Sequence, residues 1–188
     1  MTSNKKLVLE LQELFKQKEY SKVVFEITSQ TSEQERSSFV SNLLGLSRVS
    51  NNKNNIDALN LAIKDFKTGY LKEKNTNHAL DSLANFITTS VLLIDLEKNY
   101  KFDFTEILEF YKSSEKLCSN HKIIHLAMAM VYRRLNDSNK LAFHFDKIIK
   151  SKNFNADDLC NYGYWRCFGK EWSQADFLKY GSFVDENL

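Results

Sequence analysis

Four histidines and three cysteines are the side chains of this 188-residue chain best suited to metal or nucleophilic chemistry. His121 and His125 stand four residues apart, a spacing that puts both rings on one face of a helix, and Cys118 lies just before them. Half of a zinc site has this form. The intervening Lys-Ile-Ile supplies no glutamate as a general base, and no second cysteine is near. Ordinary helix-surface histidines are the simpler reading, and His78 and His144 are isolated in the sequence. Cys160 and Cys167, seven apart, fall on one helix face too far from each other for a disulfide. Nothing beside them offers the base and oxyanion donors that a nucleophilic thiol needs. A small metal-dependent enzyme using Cys118, His121 and His125 is therefore the alternative reading. The leading one has no catalytic residue, no cofactor and no metal.

Other chemistries find less support. Glu33 with Glu35, and Asp157 with Asp158, fall at expected helix starts, where capping and the helix dipole account for them. Gly163 and Gly169 are the nearest approach to a phosphate-binding loop, but they are one residue too far apart, and Lys170 is followed by Glu171. Residues 133–152 are locally basic through Arg133, Arg134, Lys140, Lys147, Lys150 and Lys152, with Asp137 and Asp146 interrupting the patch. A solvated face explains most of it, leaving Arg133 and Arg134 as candidates for contact with a partner. The net charge is only +2 and evenly spread, and lysine outnumbers arginine 21 to 5. Neither nucleic acid nor an anionic membrane is an expected partner.

The elements that must position these residues are helices. The chain has no proline and 5 glycines, where average usage would give roughly 9 and roughly 13. That disfavours turn-rich β folds. Hydrophobic content of 43% is enough to fill a core. Apolar residues recur at helical spacing in ten stripes, among them Leu7, Leu11 and Leu14; Ile56, Leu59, Ile63, Phe66 and Tyr70; and Leu80, Leu83, Ile87, Val91 and Ile94. The last two stripes contain Leu159, Tyr162 and Trp165, then Phe177, Tyr180 and Val184. Asn55 and Thr76 read as N-caps, and Ser173 with Asp176 as a capping box. Asparagine- and serine-rich links such as 50–55 and 136–139 take the place of glycine and proline stops. The spacing predicts one all-α domain over 1–188, an irregular α-α superhelix of about five antiparallel hairpins beginning near residues 4, 33, 76, 121 and 156. The N-terminus has no signal-peptide pattern, and the longest apolar run, 126–132, is too short to span a bilayer. A reduced, cytoplasmic chain is expected.

The hairpins resemble tetratricopeptide repeats. Leu44-Gly45 matches the Leu-Gly pair of that motif, where a small residue lets the next helix pack closely; Leu7, Leu11, Leu14, Tyr20, Val23 and Ile27 follow its spacing, as do Ala129, Tyr132 and Ala142. The proline that commonly ends the motif is missing. The closing segment, with Asn161-Tyr162, Trp172-Ser173-Gln174 and Lys179-Tyr180-Gly181, is similar to the stretch joining repeats to the catalytic domain in bacterial O-GlcNAc-transferase-like (SPINDLY-type) glycosyltransferases. The resemblance implies a bacterial, non-catalytic repeat region, with residues 155–187 as a linker to a catalytic domain outside this chain. It also implies a groove for a protein or peptide lined by first-helix asparagines: Asn42, just before Leu43-Leu44-Gly45, with Asn85 and Asn161 as further candidates. Arg133 and Arg134 would face the same groove. A self-associating homodimer through the last hairpin is the remaining alternative.

Overall fold

The computed structural model describes residues 3–97 and 104–150. Asn161, Cys160, Cys167, Trp165, Trp172 and the last expected hairpin lie outside the described residues. Among the described residues there are eight α-helices and no strand, so the expected all-α class holds. They are α1 (Ser3–Lys16), α2 (Tyr20–Gln30), α3 (Ser38–Asn51), α4 (Ile56–Lys72), α5 (Asn77–Leu96), α6 (Thr105–Cys118), α7 (Lys122–Arg134) and α8 (Ser138–Lys150). The chain divides into two compact units, Met1–Asp103 and Phe104–Leu188.

Local chemistry sets the helix limits. Asn55 Oδ1 accepts from the Ala58 N–H and Thr76 Oγ1 from the Ala79 N–H, as expected of N-caps. The third helix begins at Ser38, not near residue 33, because Ser37 Oγ accepts from Val40 N–H and caps it there. Glu33 and Glu35 consequently sit in the preceding loop, not in a first helical turn. Glu35 accepts from the backbone and hydroxyl of Ser32, and Glu33 pairs with Lys64 of α4 at 2.9 Å. Lys72, at the end of α4, holds the same loop by donating to the carbonyls of Glu33, Gln34 and Arg36.

Two helices end in a left-handed residue that is not glycine: Lys18 at φ 61° and Asn136 at φ 54°. In both cases the next N–H reaches back five residues, Glu19 to the Leu14 carbonyl and Asp137 to the Tyr132 carbonyl. The left-handed residue itself donates three residues back, to Phe15 and Arg133 respectively. This is the Schellman ending, which usually employs glycine.

In the first unit, α1 and α2 form one hairpin and α3 and α4 a second, while α5 packs on both α3 and α4. Leu11, Val23, Ile27, Val40, Leu43 and Leu44 bury one core cluster between the hairpins. Gly45 of α3 lies under Phe66 of α4, where a Cβ would come within 2.5 Å of the ring. The expectation that a small residue beside Leu44 admits the next helix is met at this contact. By length and composition α5 could cross a membrane, yet most of it is buried here, with Leu83, Phe86, Ile87 and Val91 packed inside the unit. In the second unit α7 and α8 form a hairpin, and α6 buries Ile107, Tyr111, Ser114 and Cys118.

Candidate functional site

The small side chains of α3 set the geometry from which the candidate site follows. Ser38 donates to the Gly69 carbonyl at 2.6 Å. A Cβ at Gly69 would meet Ser82 Oγ at 2.7 Å and Ser41 Cβ at 3.2 Å, so α3, α4 and α5 touch at this one residue. Close approach here brings the next turns of α3 and α5 within side-chain reach. There Asn85 donates through Nδ2 to Asn42 Oδ1 at 2.9 Å, across a separation of 43 residues. Two of the asparagines assigned to a groove thus meet between α3 and α5.

Asn42 is buried and Asn85 half-buried. Among the described residues the one buried side-chain polar atom without a hydrogen-bond partner is Ser41 Oγ. The amide groups of Asn42 and Asn85 not used in their mutual bond are therefore open to solvent. Each asparagine has more donors and acceptors than the pair consumes, so the couple can still give and take one hydrogen bond each. That is the pattern of an extended peptide backbone.

A charged cluster also fixes α3 against α4. Asp65 of α4 is buried, with Arg48 Nε at 2.7 Å and Arg36 Nη1 at 3.9 Å. Burial pushes the Asp65 carboxyl above its ordinary value, with Arg48 and then Arg36 opposing the rise. Such a cluster adds little net stability but holds one register, because a slip would leave a buried charge unpaired. Arg36 also donates to the Thr31 carbonyl and hydroxyl, tying the loop before α3 to the end of α2. Neither Asp65 nor its arginines is distinguished in the sequence. Positions 48 and 65 are 17 apart, and only the packing of α3 on α4 brings them together.

The other groove candidates lie elsewhere. Arg133 and Arg134 close α7 in the second unit, both exposed, and Asn161 is outside the described residues. The alternative metal constellation is not assembled. His121 turns back to cap α7, its Nδ1 accepting from Ile124 N–H. Cys118 is fully buried, and burial, then Glu115, pushes its thiol up to about 12. His125, expected on a helix surface, points into the core instead. Its Nδ1 lies 3.0 Å from Nδ1 of His144, so His144 is not isolated but its partner across the α7–α8 hairpin. The hairpin turn lies about halfway between them, and reflection about it is the signal that pairs them. Among the described residues no group of three His, Cys, Asp or Glu side chains could hold a metal ion.

The fold and site thus define an all-α protein of packed helical hairpins. No family model matches the chain, and no significant match to it was found among curated proteins or solved structures.

Proposed function

We propose that this protein is a non-catalytic helical-hairpin interaction module that binds an extended segment of a protein or peptide along the first-helix face of α3 and α5. The observation that carries the reading is the Asn42–Asn85 pair, bonded to each other yet with amide groups still open to solvent. Side-chain amides spaced along stacked helices recognise backbone without demanding a sequence, since every peptide unit offers one donor and one acceptor. The rigid floor supplied by Gly45, Gly69 and Asp65 supports the reading, because a pre-organised site loses less entropy on binding. The resemblance to glycosyltransferase repeat regions gives the wider setting we favour: a cytoplasmic, bacterial module that presents a protein substrate or partner to a domain outside this chain.

The test uses a displayed library of random twelve-residue peptides, panned against the full chain. Enriched peptides are then titrated against wild type and Asn85→Ala. We expect binding weakened about tenfold, the loss of one or two hydrogen bonds in a partly dry site, with little change in thermal midpoint. Failure to enrich any peptide, or equal affinity for Asn85→Ala, would sink this assignment.

A further inference from the structure

The second unit buries two imidazoles that the proposed binding function does not use. His125 and His144 are each 2% exposed. Their Nδ1 atoms are 3.0 Å apart, and His125 Nε2 lies 3.1 Å from the Ser119 carbonyl at the end of α6. A carbonyl only accepts, so His125 carries its hydrogen on Nε2 and its Nδ1 is a bare acceptor. His144 must then carry a hydrogen on Nδ1. One hydrogen is thereby placed on each ring, on Nε2 of His125 and on Nδ1 of His144.

The surroundings provide no anion to either ring. From α6, Tyr111 meets His144 edge-on at 5.3 Å between centroids, with Cys118 and Glu115 on the same helix. From α7, Tyr132 stacks on His144 at 5.4 Å, and His121 bears on His125 as a like charge. From α8, Phe143 meets His144 edge-on at 5.3 Å, and Lys147 opposes protonation of both rings. Glu115 acts on Tyr111, Cys118 and Tyr132, and Lys140 and Asp137 act on Tyr132.

We propose that the His125–His144 pair is an acid-sensitive latch: neutral, it joins α7 to α8 and to the end of α6; protonated, it forces them apart and opens the unit to water. The first proton can add only at His144 Nε2, the one nitrogen left bare, where the surroundings offer no anion to balance the charge. A second would set two imidazolium N–H groups against each other at hydrogen-bond distance with no acceptor between them. Burial, then His125, then Lys147 lowers His144 to about 3, and burial chiefly lowers His125. In the unfolded chain both rings titrate near the ordinary 6.5. Below that pH the unfolded chain binds more protons than the folded one, so stability falls with pH from about 6.5 down to about 3 on the His144 account. Between pH 7.5 and 5.5 the folding equilibrium of the unit drops roughly tenfold on account of His144, and the lowered His125 adds to the drop in the same direction.

Cys118, fully buried in the same unit, reports the opening. The full chain is labelled with 2,2′-dipyridyl disulfide, which reacts with thiols in acid, and Cys118 is quantified by peptide mass. Rates are divided by those of the chain in urea at the same pH. Cys118 labelling should rise at least tenfold between pH 7.5 and 5.5, and His144→Asn, which keeps a donor near Nδ1 but cannot ionise, should flatten the rise. In parallel, ring-proton NMR of the wild type should show the folded-state signals of His125 and His144 staying fixed over this range. Titration of His125 and His144 near 6.5 in the folded chain, or Cys118 protection that does not change with pH, overturns the latch. The wild-type measurements decide even where the variant fails to fold.

Discussion

At the scale of single residues, burial sorted the candidates more sharply than their identity did. Cys118, His121 and His125 share a helical neighbourhood in the sequence, but the fold sends one to the core, one to a cap and one to a partner across the hairpin. Spacing alone carries no information about which side of a helix faces the interior, and His125 has the same exposed-looking context as His121. Ser41 shows the opposite case, a residue with no chemical signature whose Oγ is buried without a partner. An unmatched buried hydroxyl costs about 1–3 kcal/mol, and alanine is the better helix former. Ser41→Ala should therefore raise stability by about 1 kcal/mol. Urea denaturation at neutral pH measures it, and a lower midpoint with unchanged slope would show that the hydroxyl is satisfied.

At the scale of elements, the scarcity of glycine and the lack of proline have visible consequences. The Asn-rich links do mark helix ends: Asn55 caps the start of α4 and Asn136 adopts the left-handed position after α7. Lys18 adopts the same position after α1 with no side-chain feature that favours it. A left-handed L-residue costs about 1–2 kcal/mol, less for asparagine. Lys18→Gly should thus stabilise the chain by about 0.5–1 kcal/mol, the strain relief exceeding the added freedom of the unfolded state. Asn136→Gly should gain less, so the two thermal midpoints compared side by side test the account; equal shifts would contradict it. The existence, order and type of the described helices were legible from apolar periodicity because each buries a stripe. The start of α3 was not, because Glu33 and Glu35 resemble a first helical turn and only the packing of the loop on α4 shows otherwise.

At the scale of the whole molecule, the pairing of α1 with α2, α3 with α4 and α7 with α8 was legible from the short links between them. The clusters that lock the helices, Asp65 with its arginines and His125 with His144, were not, since they depend on which turn faces which across a hairpin. The clamp formed by Lys72 has a consequence for how the intact chain meets a protease. Arg36 lies in the connection between α2 and α3, next to the exposed residues 32–35, and connections are where proteases cut. Its carbonyl, the one a protease must polarise, is already held by Lys72 Nζ at 2.7 Å, and its guanidinium is engaged with Thr31 and Asp65. Cleavage after Arg36 therefore requires the clamp to break. In limited digestion followed by mass spectrometry, wild type should resist cutting there, and Lys72→Met should be nicked between Arg36 and Ser37 several-fold sooner, at a rate that measures how often the loop lifts from α4.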